Sequence, residues 1–451
     1  MQYTGLSSIR GSLAVIDGVF KPTNGEIAKI EPGGKTGRIV KIDGSRVVLQ
    51  IFEGTKNMSL ENTSTKFTGY PLEIKLSPDI LGRVFDGLGR PIDGLGPIQS
   101  KLSRNINGSA INPVAREYPR SYIQTGISAI DGLMTLIRGQ KLPIFSGDGL
   151  PHDKLAAQIL RQASVVGEDF AIVFAAMGVQ HDVAAYFRHC LEESSGGLVM
   201  FLNLANDPVV ERIATPKAAL TAAEYLAYDL GKHVLVILTD MTAFAESLRE
   251  ISSSQGEIPS RKGYPGYLYS ELSSIFERAG IIRGRPGSLT QIPIISMPGD
   301  DITHPIPDLT GFITEGQIVL DRGLFQQGIY PPIKILPSLS RLMKDSIGEG
   351  YTRYDHPDLA NQLFASYARV EEVKALSQVI GEDELSEVDQ KYIRYGKAFE
   401  EKFLKQSEYD KRSIDETLDL AWDLIKILPE SELSRISPEV LENAKRASHK
   451  K

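Results

Sequence analysis

The chain has 451 residues, of which 41% are hydrophobic and 24% are charged, and its formal net charge is −7. These values are typical of a soluble globular protein with two or three domains, and the acidic balance disfavours a nucleic-acid-binding surface. A single cysteine excludes an intrachain disulfide framework and indicates a reducing compartment, while the short apolar runs exclude a membrane-spanning segment. Any membrane association is therefore expected to come through a partner.

Residues 1–72 are predicted to form a small closed β-domain, an N-terminal β-barrel. Short alternating runs that are rich in β-branched residues are separated there by glycine turns. Two of these runs, 37–42 and 46–52, flank Asp43-Gly44, and an Asp-Gly pair between alternating runs is a strong hairpin signal.

Residues 73–348 are predicted to form a central α/β domain, because strands alternate with helices. The predicted strands are 141–145, 170–175 and 233–239, and the predicted helices are 154–166 and 216–230. The near-continuous apolar run at 233–239 is typical of a strand that is buried on both faces, as in a mostly parallel sheet.

Residues 349–451 are predicted to form a C-terminal helical domain. Apolar residues recur there at three- and four-residue spacing in three stretches, which are 359–375, 386–404 and 414–428. Ser413 is expected to cap the last of these helices, because an acidic first turn follows it. The last four residues, 448–451, are predicted to be a disordered tail.

A loop in the chain context of a phosphate-binding P-loop joins a predicted strand to a predicted helix at 145–153. Such a loop binds phosphate through backbone N–H groups and a lysine, and a Ser or Thr hydroxyl holds magnesium. Here Pro151 has no N–H to donate, His152 stands in place of the lysine, and Asp153 stands in place of the hydroxyl. The residues of this altered loop are Ser146, Gly147, Gly149, Pro151, His152 and Asp153.

From its own residues the loop has two interpretations. It is either a P-loop descendant that no longer holds phosphate, or a glycine-rich connection in an unrelated α/β domain. Asp240 favours the first, because it ends the apolar strand 234–239 as the aspartate of a Walker B strand does. Strands also end in aspartate for reasons of turn formation, so both interpretations stay open at this point. Lys154 is not expected to replace the missing lysine.

Longer motifs resemble those of rotary ATPase ring subunits, specifically the non-catalytic B subunits of the archaeal- and vacuolar-type branch. They lie along nearly the whole chain, at 82–94, 124–131, 138–141, 145–152, 301–311 and 337–342. The resemblance implies a central P-loop-like (RecA-like) α/β domain with an N-terminal β-barrel and a C-terminal helical domain. It also implies a regulatory subunit, since catalysis in that family is carried by the A subunit.

The partners implied by the resemblance are three catalytic A subunits, which alternate with three B subunits in a ring, a central rotor stalk and a peripheral stalk. Mg-ATP or ADP would bind at the interface shared with the A subunit, and this chain would hold no cofactor or metal tightly. The complex would be a proton- or sodium-translocating ATPase or ATP synthase. It would lie at the cytoplasmic face of a membrane, which it would touch only through its membrane sector, and it would bind no nucleic acid.

The same resemblance also implies roles for individual residues. Val179 takes the place of the glutamate that activates water in catalytic relatives, so the chain is not expected to be an enzyme by itself. Arg341 matches the arginine finger that B-type subunits donate to ATP on the A subunit, a role suited to a planar, always-charged guanidinium. The segment that matches the rotor contact is Asp383, Glu384, Leu385, Ser386 and Glu387. Without the resemblance, that segment is a helix N-cap with acidic neighbours.

Two other functions compete with this interpretation. One is an ATPase that uses His152 in an unusual way, which Pro151, Asp153 and Val179 together disfavour. The other is a nucleic-acid motor related to hexameric RNA helicases, which the acidic balance and the missing P-loop lysine disfavour. Both require the isolated chain to bind ATP, whereas a non-catalytic ring subunit is expected to bind it weakly or not at all.

Overall fold

The computed structural model describes residues 2–165, 168–193 and 197–448. The chain forms two compact units, each assembled from two separate stretches: Met1–Asn112 with Ala171–Arg278, and Pro113–Phe170 with Ala279–Lys451. This division interleaves the sequence and differs from the three predicted domains, whose boundaries at 72 and 348 stay a prediction.

The first stretch of the first unit is built mainly from short strands. They are β1 (Gln2–Thr4), β2 (Ser8–Arg10), β3 (Leu13–Ile16), β4 (Ile27–Glu31), β5 (Lys35–Asp43), β6 (Arg46–Ile51), β7 (Ser64–Phe67), β8 (Glu73–Lys75), β9 (Val84–Asp86) and β10 (Ser103–Asn105). Seven of them form an antiparallel sheet in the order β1-β7-β4-β5-β6-β3-β2. The predicted N-terminal β-domain is confirmed, but among the described residues β1 and β2 are edge strands that do not pair with each other, so the sheet is a half-barrel and not the closed barrel that was predicted.

The hairpin between β5 and β6 shows why this segment folds as a sheet. Asp43 pairs with Arg46, and Gly44 takes the left-handed conformation that the tight turn requires, at a φ of 60°. Apolar residues that alternate along the two strands face the core and are almost fully buried, among them Ile39, Val47 and Leu49. The hairpin predicted from Asp43-Gly44 is confirmed.

Between residues 113 and 340, strands and helices alternate as predicted. The strands are β11 (Arg116–Glu117), β12 (Tyr122–Ile123), β13 (Leu136–Ile137), β14 (Ile144–Gly147), β15 (Phe170–Val179), β16 (Leu198–Leu204), β17 (His233–Thr239), β18 (Gly280–Ile282), β19 (Ser288–Met297), β20 (Gly316–Leu320) and β21 (Ile333–Ser340). The helices are α1 (Ser128–Leu133), α2 (His152–Gln162), α3 (His181–Glu193), α4 (Val209–Glu224), α5 (Met241–Ser254), α6 (Leu268–Phe276), α7 (Pro305–Ile313) and α8 (Arg322–Gln326).

Each unit contains a group of parallel strands. In the first unit β17, β15, β16 and β9 are neighbours in that order, and β16 runs parallel to both β15 and β9. In the second unit β14 lies between β19 and β20 and runs parallel to both, while β21 pairs with β20 in antiparallel orientation. Strand β18 pairs antiparallel with β11 and β19, and β12 with β13.

Some predicted boundaries were wrong. The strand predicted at 233–239 coincides with β17, but the helix predicted at 216–230 begins at Val209 as α4 and contains Pro216. Proline is commonest in the first turn of a helix, so its position suggested a helix start that tertiary packing overrides. The helix predicted at 154–166 is α2, which already ends at Gln162; residue 166 lies outside the described residues.

The C-terminal stretch is helical, as predicted. It contains α9 (His356–Ile380), α10 (Glu387–Ala398), which continues as a π-helical turn over Phe399–Leu404, α11 (Ile414–Ile425) and α12 (Pro438–Ser448). Ser413 and Glu416 form a reciprocal capping box at the start of α11, which confirms the predicted cap. Of the predicted tail 448–451, all but Ser448 lies outside the described residues. None of the helices in the described ranges is both long enough and apolar enough to cross a membrane.

Candidate functional site

In the altered loop between β14 and α2, two backbone N–H groups donate to carbonyls of the loop itself. The N–H of Leu150 donates to the carbonyl of Gly147 at 3.2 Å, and the N–H of His152 donates to the carbonyl of Leu150 at 2.8 Å. Pro151 is the N-cap of α2 and provides no capping hydrogen bond from its side chain. The Nδ1 atom of His152 lies 3.1 Å from the hydroxyl of buried Ser146, so this imidazole folds back onto the end of the strand. Two N–H groups of the loop are therefore not available to a phosphate, and Pro151 has none to offer.

An ion pair that the sequence did not reveal lies against this loop. Asp300 ends a 3-10 turn after β19, Arg322 begins α8, and the guanidinium holds both carboxylate oxygens at 2.7 and 2.8 Å. The same guanidinium donates to the main-chain carbonyl of Asp148 at 2.9 Å. A Cβ atom placed on Gly147 would lie 2.0 Å from a carboxylate oxygen of Asp300, so only glycine fits here. The mouth of the loop thus already contains an anion and its cationic partner.

The first two turns of α2 are attached to the C-terminal part of the second unit. Lys154 forms an ion pair with Glu408 at 2.7 Å. Gln158 donates to the carbonyls of Ser407 and Asp410, each at 3.2 Å, and accepts from the hydroxyl of Tyr330 at 3.0 Å. Lys154 is therefore engaged with Glu408, which agrees with the expectation that it does not replace the missing P-loop lysine.

Val179 and Asp240 lie in the first unit. Half-buried Val179 ends β15, and Gly178 before it has a φ of 70° and donates its N–H to Asn203 at 3.2 Å. Asp240 is the N-cap of α5, where its carboxylate accepts from the N–H of Thr242 at 2.9 Å. The structure thus uses Asp240 for helix capping, the turn-related use that the sequence left open. An aliphatic side chain at 179 has no group that can polarise water.

The backbone around Arg341 is held by a polar platform that consists of Glu315, Lys141 and Gln140. Its N–H donates to the carbonyl of Glu315 at 2.9 Å, and the carboxylate of Glu315 binds the N–H and the ammonium of Lys141, both at 2.8 Å. The preceding Ser340 accepts from the side chain of buried Gln140 at 2.8 Å. The guanidinium itself is exposed, and within the described part of the chain it has no hydrogen-bond or ion-pair partner. The backbone of Arg341 is therefore fixed while its charged end is available to another molecule.

Strand registers place Arg341 and the altered loop at opposite ends of the same strands. The loop follows the carboxyl end of β14, and parallel pairing of Phe145 with Val319 puts this end beside the carboxyl end of β20. Antiparallel pairing of Gly316 with Ser340 puts Arg341 beside the amino end of β20. Five strand residues separate the two ends, which corresponds to a distance of roughly 13–16 Å. One nucleotide phosphate cannot contact both features.

The segment predicted to contact the rotor links α9 to α10. It begins after Gly381, which ends α9 with a φ of 95°, and continues as a 3-10 turn over Glu382–Glu384. Ser386 caps α10 by accepting from the N–H of Asp389 at 3.1 Å. Within the predicted contact segment, Leu385 is buried, and the exposed members are Asp383, Glu384, Ser386 and Glu387. The cap expected from sequence is present, and contact with a rotor stays a prediction.

The sequence identified the altered loop but missed Asp300 and Arg322. These residues are separated by 22 positions, and neither occurs in a pattern that specifies an ion pair. The available signals were the Pro298-Gly299 pair, which marks a turn before Asp300, and the short helix after Arg322. Across the described ranges, no group of three or more His, Cys, Asp or Glu side chains is arranged to hold a metal ion.

Comparison with known proteins identifies the family. The profile of the ATP synthase alpha/beta family, nucleotide-binding domain, matches residues 126–340. The profile of the C-terminal domain of V and A type ATP synthase matches residues 345–445. The first match contains both the altered loop and Ser340, which precedes Arg341, and the second contains the segment predicted to contact the rotor.

Full-length relatives agree with these profiles. The chain is 59% identical to a V-type ATP synthase beta chain of Halothermothrix orenii, covering 99% of this chain and 98% of the relative. It is 55% identical to the B subunit of the A-type ATP synthase of Cenarchaeum symbiosum, covering 98% of this chain and 97% of the relative. Among solved structures, the ATP synthase subunit NeqB from Nanoarcheaum equitans superimposes with a TM-score of 0.73 at 36% identity, covering 92% of this chain and 98% of that one.

Proposed function

The chain belongs to the family of V- and A-type ATP synthase B subunits, and from this we propose that it is a non-catalytic ring subunit that supplies Arg341 to ATP on a catalytic A subunit. In this role it does not turn over ATP at its own loop. Its exposed guanidinium would bind γ-phosphate oxygens in a bidentate manner and stabilise the charge that develops during phosphoryl transfer.

The observation that carries this proposal is the position of Arg341. Its guanidinium is exposed, without a partner among the described residues, and lies at the opposite end of β20 from the chain's own loop. An arginine placed there does not contact a phosphate at the chain's own loop, which supports a role toward a phosphate that another subunit holds. The platform of Glu315, Lys141 and Gln140 supports the proposal further, because a finger must be oriented before ATP arrives.

The proposal includes the surrounding complex. Three copies would alternate with three A subunits, so each copy presents two different faces to its neighbours. Mg-ATP or ADP would bind at the face that carries Arg341. The exposed acidic segment Asp383–Glu387 would contact the central rotor stalk, and a peripheral stalk would hold the ring. The assembly would translocate protons or sodium ions and would lie at the cytoplasmic face of the membrane, attached through its membrane sector.

Replacement of the finger in the assembled complex tests the proposal. Arg341→Lys keeps the positive charge but removes the planar fork, and a finger supplied in trans is worth roughly a thousand- to hundred-thousand-fold in rate. We expect the variant to assemble normally and to lose at least about a hundredfold in ATP turnover. The matched control is Arg435→Lys, which changes another exposed arginine of the same unit. Near-native turnover in a fully assembled Arg341→Lys complex would refute the role.

Titration of the isolated chain with Mg-ATP separates this function from the two enzymatic alternatives. A stand-alone ATPase and a nucleic-acid motor both need the chain to bind ATP by itself. Two of the loop's N–H groups bind its own carbonyls, Pro151 has no N–H, and His152 stands in place of the lysine, so we expect no calorimetric signal at micromolar ATP. Tight magnesium-dependent binding to the lone chain would favour the alternatives.

A further inference from the structure

We propose that Asp300 is a built-in anion that blocks the phosphate position of the altered loop, and that Arg322 is a phosphate-binding residue which Asp300 keeps occupied. This inference rests on the proposed function only in that the native loop is taken not to bind nucleotide. It adds a specific reason for this inability and identifies a latent site for the phosphate groups of nucleotides or pyrophosphate.

The contacts at Gly147 carry the argument. A carboxylate oxygen of Asp300 lies 2.0 Å from the position of a Cβ on this glycine, and a guanidinium nitrogen of Arg322 lies 3.0 Å from the same position. The carboxylate therefore fills the space beside Gly147, where the loop leaves β14, and we infer that this is the space a phosphate would need. A second anion would find that space filled and its cation already paired, and it would also be repelled by the carboxylate.

The backbone conformation of Asp300 indicates that its side chain is held in one specific position. Its φ is 58°, a left-handed conformation that residues other than glycine adopt rarely, although aspartate tolerates it better than most. The side chain that this conformation presents is engaged at both oxygens by Arg322. The ion pair lowers the pKa of the Asp300 carboxyl, so the blocking group stays ionised at neutral pH.

Arg322 has the donors that a phosphate requires. Its Nε and Nη2 atoms both bind Asp300, and Nη2 also donates to the carbonyl of Asp148, which holds the guanidinium at the mouth of the loop. Removal of the carboxylate frees the planar edge that it engages. A guanidinium edge binds phosphate with the same bidentate geometry that it uses for carboxylate. The cation missing at position 152 would then be replaced from position 322.

The test is a gain of binding by the full-length chain. Asp300→Gly clears the space and suits the positive φ, and Asp300→Asn removes the charge at constant size. Calorimetric titration with pyrophosphate and with Mg-ATP should give a dissociation constant at least about tenfold lower for Asp300→Gly than for the native chain. The double variant Asp300→Gly/Arg322→Ala should lose this gain. Asp301→Asn is the matched control, because it removes the same charge one residue away.

The outcomes are distinct. A gain that depends on Arg322 and is absent from Asp301→Asn supports the proposal. No gain in either Asp300 variant overturns it, and so does an equal gain in Asp301→Asn, which would indicate a general charge effect. Tight binding by the native chain overturns it as well. Tight binding by the native chain would also count against the proposed function, whereas the other outcomes concern the loop alone. The role of Arg341 is measured separately as turnover of the assembled complex, so failure of one proposal can be distinguished from failure of the other.

Discussion

We expect the buried histidine at the start of α9, His356, to make the stability of the C-terminal helices depend on pH. The N–H of Gly348 donates to the hydroxyl oxygen of Thr352 at 2.8 Å, and this hydroxyl donates to Nδ1 of His356 at 3.0 Å. The Nε2 atom of His356 donates to the carbonyl of Gly132 at 2.9 Å. A carbonyl can only accept, so Nε2 carries the hydrogen, and the lowered pKa of His356 leaves Nδ1 unprotonated at neutral pH. Protonation of Nδ1 would place a charge in this buried position and reverse the direction of its bond with Thr352.

The size of the effect follows from the pKa. Burial is the largest influence and lowers the pKa of His356 from 6.5 to about 4. As the pH falls, the unfolded chain therefore takes up the proton first. The contribution to stability is complete above pH 6.5, declines below it, and is fully lost once the pH passes below the folded-state value. The loss amounts to about 2 kcal/mol by pH 5 and about 3 kcal/mol below pH 4.

The single tryptophan reports on this region directly, because the indole N–H of Trp422 donates to the carboxylate of Asp355, the residue before His356. Urea unfolding followed by its fluorescence should show the decline for the native chain. His356→Phe should be less stable at neutral pH, since Thr352 and Gly132 lose their partner, but should lack this component of the pH dependence. His181→Gln, at an exposed site, serves as the control. Equal pH slopes for the native chain and His356→Phe would refute the reasoning.

Two further substitutions test the packing around the functional elements. Arg278 is fully buried, and its guanidinium binds both carboxylate oxygens of Glu224, at 2.6 and 2.8 Å. Arg278→Met should therefore lower the free energy of unfolding by about 3–5 kcal/mol in urea titrations. Part of this loss in stability should be recovered in Arg278→Met/Glu224→Leu, which removes the unpaired carboxylate. In Gly316→Ala the new Cβ would lie 2.2 Å from the carbonyl oxygen of Leu339, and the residue would keep a φ of 147°. This variant should therefore lower both the melting temperature and the turnover of the assembled complex. Gly311→Ala is the control, because a Cβ there meets open space, and it should leave both near native.

Elements with a strong local signal were predictable from sequence. Asp43-Gly44 specifies its hairpin because the turn itself requires these residues, and Ser413 specifies the start of α11 through contacts within one helical turn. The strand β17 followed from its apolar run because burial on both faces leaves no polar alternation. In each case the information lies within a few residues of the element.

Features that depend on distant contacts were not predictable. Pro216 suggested the start of a helix, yet α4 continues through it because the flanking residues are buried. The altered loop could be identified from sequence, but the proposed block by Asp300 and Arg322 could not. The block depends on β19 and β20 lying on either side of β14, which brings the two residues together. The strand order brings residues from two separate segments to one loop, and no local pattern encodes that order.

The position of β20 explains why the two proposed properties can coexist in one subunit. Glu315 precedes this strand and holds the backbone of Arg341, while Arg322 follows it and holds Asp300 over the altered loop. The strand is five residues long and is paired with β14 on one side and with β21 on the other. It therefore holds the residues at both of its ends in place, while the side chains at one end stay separate from those at the other. Changes at the loop can therefore abolish phosphate binding while the opposite end keeps the geometry that a finger requires. A ring protein with this arrangement can serve a neighbour's ATP without competing for it.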